Sequence, residues 1–74
     1  MNTNDLLTWR HNLTDDQVKY LAKVDRLIAQ SERGKVIDMS NMIKNEQLFV
    51  ECIQYIKAGT GLDIYYHDFE LIIN

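Results

Sequence analysis

Proline is absent from this chain of 74 residues, and glycine occurs only three times. The chain therefore has no Pro-rich or Gly-rich linker of the kind that separates domains. Its single cysteine, Cys52, excludes a stabilising disulfide within the chain. No apolar run approaches the roughly 18 residues that a membrane-spanning helix requires. These absences favour a single domain over residues 1–74, stabilised by its apolar core alone.

A strong excess of either charge is also missing. Eight lysines and arginines against eleven aspartates and glutamates leave a net charge of −3. This balance excludes an overall basic nucleic-acid binder and a strongly anionic mimic of DNA. The polar start of the chain, Met1–Asp5, lacks the apolar core of a signal peptide, so we expect a cytoplasmic protein without membrane contact. Because a core of this size supplies only about 3–5 kcal/mol, homodimer formation is expected as a further source of buried apolar area.

The clearest positive feature is an alternating apolar pattern over Leu62–Ile73. Its main apolar set occupies even positions up to Tyr66 and odd positions from Phe69 onward. One regular strand cannot change phase in this way, because its side chains alternate between two faces. A β-hairpin that turns at His67-Asp68 can; a bulge or a four-residue turn is the open alternative, since His-Asp is not a favoured turn pair. The predicted cross-strand pairs are Tyr66 with Phe69, Ile64 with Leu71 and Leu62 with Ile73.

The start of a long helix is predicted at Thr14. Thr14 is a favoured N-cap, and Gln17, three residues later, completes a capping box. The helix is predicted to extend to Arg33 and to end at Gly34 in a left-handed conformation. Its apolar stripe follows the 3.6-residue period and is expected to enter the core. The centre of this stripe is formed by Leu21, Val24 and Ile28.

Further elements complete an α+β fold, in which two long amphipathic helices and a short N-terminal helix pack on a sheet of two or three strands. A strand–helix–strand unit between Lys35 and Tyr66 would form a right-handed parallel crossover. The additional predicted elements are a short helix over Asp5–Arg10 capped by Asn4, a strand over Lys35–Met39, and a long helix that starts at Ser40 or Asn45 and is broken by Gly59–Gly61.

Residues that could support catalysis or metal binding do not occur at the required spacing. His11, His67 and Cys52 show no ligand spacing for zinc, and Cys52 lies on the predicted apolar side of its helix. His67 and Asp68 are predicted to be turn residues, because neighbours in a turn seldom face one another. Gly59–Gly61 lacks the lysine and the following helix of a phosphate loop. We therefore expect a protein that is not an enzyme and that uses no metal or cofactor.

The outward-facing side of the predicted hairpin is the best candidate for a binding surface. Tyr65 and Ile72 lie there between Asp63 and Glu70, close to a free sheet edge. Exposed aromatic and β-branched side chains in such a position favour contact with a protein. The pattern therefore favours a regulatory module of the inhibitor or adaptor type that binds a larger protein or a second copy of itself, as small proteins of phages and mobile elements do.

A basic side of the long helix indicates a different function. Such cations contact phosphates in nucleic-acid complexes or carboxylates of an acidic protein partner. Their density is also ordinary for a solvated helix, and the overall acidity of the chain disfavours nucleic acid. Nucleic-acid binding is therefore the alternative to the protein-interaction hypothesis. The residues concerned, which share one side by the 3.6-residue period, are Lys19, Lys23, Arg26 and Arg33.

Overall fold

The computed structural model describes residues 3–74, with side chains from Asp5 onward. Met1 and Asn2, which belong to the polar start of the chain, lie outside this range. Within it the chain forms helices and an antiparallel sheet, which confirms the α+β class. In chain order the elements are α1 (Thr3–His11), α2 (Asp15–Gln30), β1 (Val36–Asp38), α3 (Glu46–Thr60), β2 (Ile64–His67) and β3 (Glu70–Ile73).

Helix α2 begins as its capping residues predict. The Gln17 N–H donates to Thr14 Oγ1 at 3.2 Å, and the Thr14 N–H donates to Gln17 Oε1 at 2.9 Å. This capping box pairs backbone donors that the first turn would otherwise leave unsatisfied. Helix α1 differs from its prediction, since it begins at Thr3 and ends at His11. Asn4, the predicted cap, lies within the first turn, and its side chain is outside the described part of the chain.

The end of α2 falls at Gln30 instead of Arg33. Ser31 takes an extended conformation with φ −78° and ψ 145°, and its hydroxyl donates to the Leu27 carbonyl at 2.5 Å. A serine side chain that bonds the backbone in this way competes with continuation of a helix. Gly34 still adopts a left-handed conformation, with φ 81°, but there it turns the chain into β1.

Asn45 is the residue that starts the second long helix. Its side chain accepts a hydrogen bond from the Leu48 N–H at 3.2 Å, and α3 follows from Glu46. The helix ends at Gly61, which is left-handed with φ 73° and donates its N–H to the Lys57 carbonyl at 2.9 Å. Glycine adopts this conformation without steric cost, which explains the sharp end of the helix.

Strand β3 lies between β1 and β2 and pairs antiparallel with both of them. The predicted strand near Lys35–Met39 is thus present as β1. β1 and β2 run in the same direction without pairing, so the predicted parallel crossover through α3 is present, with β3 inserted between its two strands. The short hairpin connection places β3 beside β2, and β1 pairs with the other side of β3.

The hairpin turns one residue later than predicted. Its turn is formed by Asp68 and Phe69, which have positive φ angles of 47° and 63°, as a two-residue type I′ turn requires. Phe69 was predicted to face the core opposite Tyr66, but it lies in the turn and is 36% exposed. The register slips by two residues, which keeps each strand side chain on its predicted face. The observed core-side pairs are Tyr66 with Leu71 and Ile64 with Ile73.

The core lies between the helices and the inner face of the sheet, which carries Ile64, Leu71 and Ile73. These side chains are 3%, 0% and 1% exposed, respectively. Cys52 of α3 is buried in the same core, and burial raises the pKa of its thiol to about 11, which makes it unreactive. Further members of the core are Leu21, Val24, Ile28, Met39, Ile43, Phe49, Ile53 and Ile56.

Candidate protein-interaction face

The outer face of the sheet, opposite the core, carries apolar side chains that remain exposed. Val36 pairs with Ile72 across β1 and β3, and Ile72 pairs with Tyr65 across β3 and β2. Val36 is 58% exposed and Tyr65 is 60% exposed, with Ile72 half-buried between them. We call these residues the apolar row. An apolar row across the width of a small sheet is typical of a surface that contacts protein.

The observed register brings the predicted binding residues together in a new order. The predicted pairing would have placed Tyr65 opposite Glu70, whereas the observed pairing places Tyr65 directly opposite Ile72. Glu70 lies two residue pairs nearer the turn, opposite His67. Asp63 lies just before β2 and extends the hairpin, because its carbonyl accepts from the Asn74 N–H at 2.8 Å. The predicted residues thus share one face, with the two apolar side chains in direct contact position.

A second row of paired side chains crosses the same face nearer the turn. Glu70 pairs with Asp38 of β1 on one side and with His67 of β2 on the other. All of them are exposed, and we call them the acidic row. The Asp38 carboxylate accepts from the Ser40 N–H at 2.9 Å, and this bond lowers the pKa of Asp38. Two charged carboxylates therefore stand opposite each other on neighbouring strands.

The hairpin that presents this face is tied to helix α3. The Tyr66 hydroxyl donates to Glu46 Oε2 at 2.5 Å, and the ring centroid of Tyr66 lies 5.0 Å from that of Phe49. Burial, and then the hydrogen bond to Glu46, raises the pKa of Tyr66 to about 12. The hydroxyl therefore stays protonated and bonded at neutral pH. These contacts connect the hairpin to the helix that packs behind it.

The outer edge of β2 adds backbone groups to this surface. Within residues 3–74, no strand lies beside β2 on the side away from β3. Hydrogen bonds alternate along an antiparallel pair, and the Asp63 carbonyl is bonded toward β3. The backbone N–H and C=O groups of Ile64 and Tyr66 therefore point to the open edge. An edge of this kind can pair with a strand of another protein.

Other described regions of the chain offer less specific surfaces. A cavity of about 370 Å³ between α2 and α3 is lined mainly by apolar side chains. The charged residues Arg10 and Asp25 also line it. No three His, Cys, Asp or Glu side chains of the described residues are placed to hold a metal ion. None of the described helices has the length and apolar character that a bilayer crossing requires. The outer sheet face therefore offers the most specific basis for a function.

The basic side of α2 is smaller than predicted. Arg33 lies beyond the helix, because Ser31 ends α2 early. An ion pair joins Lys35 to Glu32 at 2.6 Å, and within the described residues the cations of α2 form no ion pair. The exposed cations that remain on one side of α2 are Lys19, Lys23 and Arg26.

Several residues of the outer face are not predicted as binding residues from the sequence. Val36 and Asp38 alternate with Ile37, a signal that places them on one face of a strand, but no local signal shows that this strand joins β3. His67 was predicted to lie in the turn, and the slipped register moves it to the end of β2, beside Glu70. Pairing between distant segments is what adds these residues to the surface.

No protein-family model, curated protein or solved structure matches this chain. A function for it must therefore be inferred from the geometry and charge of its own surfaces.

Proposed function

We propose that this protein is a non-enzymatic interaction module of the inhibitor or adaptor type, which binds another protein through the outer sheet face. The apolar row carries this proposal, since Val36 and Tyr65 are 58% and 60% exposed although they flank a half-buried Ile72. A partner seated on this face would bury the row without disturbing the core. The open edge of β2 offers backbone hydrogen bonds to the same partner. A cytoplasmic setting suits the free thiol of Cys52.

A double substitution tests this proposal. Tyr65→Ala with Ile72→Ala is expected to preserve the fold, since neither side chain lies in the core, and to abolish capture of a protein partner from a cell lysate. Leu7→Ala is the matched control, because Leu7 is 51% exposed on α1 and lies away from the sheet. Circular dichroism checks the fold of each variant. Partner capture and sedimentation that are unchanged by the double substitution would show that the sheet face is not the interface.

Nucleic-acid binding through α2 is the second candidate function. It is supported by the exposed, unpaired cations Lys19, Lys23 and Arg26 on one helix side. Three phosphate contacts predict a log–log dependence of affinity on salt with a slope of about −2.7 for duplex DNA, in place of about −3.6 for the four contacts predicted when Arg33 is included. Fluorescence anisotropy at two salt concentrations measures this slope. If no complex forms at low salt, this candidate is removed.

A further inference from the structure

The surroundings of the apolar row are acidic toward both ends of the hairpin. The acidic row borders the apolar row on the side of the turn. The carboxylate of Asp63 borders the apolar row where β2 begins. The nearest cation before β1, Lys35, is already paired with Glu32 at 2.6 Å. An apolar centre is therefore framed by negative charge. The carboxylates of this frame, all exposed, are Asp38, Asp63, Asp68 and Glu70.

The pair formed by Asp38 and Glu70 does not serve the stability of the sheet. Like charges directly opposite each other on neighbouring strands are destabilising. Asp38 is also held in its charged form by the hydrogen bond from the Ser40 N–H. A positive group of a partner that approached both carboxylates would remove this repulsion. The charge pattern thus complements a cation beside an apolar contact.

We propose that the occupant of the outer face is a segment of another protein that carries lysine or arginine on both sides of an apolar centre. This inference rests on the proposed function and specifies the chemistry of the partner. The apolar centre of the segment would cover Val36, Ile72 and Tyr65. Its cations would face Asp38 and Glu70 on one side and Asp63 on the other.

A second copy of this chain does not match that description. A two-fold axis through Ile72 would set the acidic row of one copy against Asp63 of the other, so carboxylates would meet carboxylates. A head-to-tail contact would place the basic side of α2 on the apolar row. That helix side has no exposed large apolar residue, because those of the described chain are Leu7, Val36, Tyr65 and Phe69.

Two synthetic peptides test the proposal on the full chain. One has the sequence Lys-Lys-Leu-Trp-Leu-Lys-Lys, and the other replaces each lysine with glutamate. We expect the lysine peptide to shift the backbone amide NMR signals of β1, β2 and β3, with binding that weakens as salt is raised. We expect the glutamate peptide to cause no shift. Equal shifts with both peptides, or shifts confined to the helices, would overturn the proposal.

Charge removal on the protein provides a second measurement. Asp38→Asn with Glu70→Gln is expected to lower affinity for the lysine peptide roughly two- to thirtyfold, as the loss of two exposed ion pairs predicts. Asp25→Asn with Glu51→Gln changes the net charge equally on the helices and is expected to have no comparable effect. If the two double variants weaken binding equally, general attraction explains it and the proposal is wrong.

The outcomes separate this inference from the proposed function. If the lysine peptide causes no shift while Tyr65→Ala with Ile72→Ala still abolishes capture of a partner, the basic character of the partner is wrong and the interaction face stands. If the double substitution also leaves capture unchanged, the interaction face itself is wrong. Concentration-dependent sedimentation of the chain alone that is abolished by Tyr65→Ala with Ile72→Ala would identify the occupant as a second copy, against the proposal.

Discussion

The inner and outer faces of the sheet are built from similar side chains, yet their surroundings differ. On the inner face Ile64 and Leu71 are 3% and 0% exposed, whereas on the outer face Val36 and Tyr65 are 58% and 60% exposed. Among the described residues the core contains no buried polar or charged residue, while carboxylates frame the outer apolar row. The apolar character of the strands therefore does not decide which face is covered. The apolar sides of the helices cover the inner face, whereas carboxylates surround the apolar row on the outer face.

The largest expected difference in stability comes from introducing one charged residue on each face. Ile64→Asp places a carboxylate without a partner in the core, which costs several kcal/mol and exceeds the roughly 3–5 kcal/mol that a core of this size supplies. We expect this variant to be unfolded by far-ultraviolet circular dichroism. Tyr65→Asp, the neighbouring residue on the outer face, is expected to remain folded and to lose about 1 kcal/mol or less. Unfolding of both variants would contradict the assignment of the faces.

A smaller difference in stability is expected when one methylene group is removed from each of two adjacent residues. Ile73 is 1% exposed on the inner face, and Ile73→Val should lower the free energy of unfolding by about 0.5–1.5 kcal/mol through the cavity it leaves. Ile72→Val removes the same group on the half-buried outer face and should cost about 0.5 kcal/mol or less. Urea titration of both variants gives the comparison. Equal losses would mean that the outer face is as tightly packed as the core.

The hairpin turn sets which strand side chains lie on each face, and a substitution in it can raise the free energy of unfolding. Phe69 has φ 63°, a conformation that costs a residue with a Cβ roughly 1–2 kcal/mol. Phe69→Gly is therefore expected to raise the free energy of unfolding by about 0.5–1 kcal/mol, after loss of the contacts of the partly exposed ring. Phe69→Ala removes the ring without relieving the backbone and should bring no gain. Equal losses of stability in Phe69→Gly and Phe69→Ala would show that the ring, and not the turn geometry, matters at this position.

The smallest expected effect is a difference in thermal stability at alkaline pH. The pKa of Tyr66 is raised from 10.0 to about 12 in the folded state, so its contribution to stability is complete below pH 10.0 and is lost as the pH rises through about 12. Thermal unfolding midpoints of Tyr66→Phe should consequently fall less between these pH values than those of Tyr65→Phe, which keeps the bond between Tyr66 and Glu46. Identical pH profiles of the two variants would contradict a partly buried, hydrogen-bonded Tyr66.

Local chemistry was sufficient to predict some parts of this fold. Thr14 and Gln17 form their capping box within a few residues of chain, and Asn45 caps α3 in the same local manner. The hairpin was predictable because a change of phase in an alternating pattern is typical of a reversal of the chain. Its register was not, because Asp68 and Phe69 are not a favoured turn pair, and a slip by two residues leaves the alternation unchanged.

The residues of the candidate site were likewise predictable only in part. Tyr65 and Ile72 were predictable as outward-facing residues, since their positions in the alternation place them opposite the core set. Val36 and Asp38 were not predictable as their neighbours, because β1 is separated from β3 by the whole of α3 and only pairing brings them together.

The amino-acid sequence by itself determined the N-terminal caps of the two long helices, the identity of the two strand faces and the presence of the hairpin, because these depend on contacts between residues close in the chain. Only the tertiary structure decided that β3 lies between β1 and β2 and that the apolar row crosses the sheet inside a frame of carboxylates. Strand order and register depend on packing of the sheet against the helices, where Tyr66 reaches Glu46 and Phe49. Such contacts join distant segments, and no local pattern specifies them.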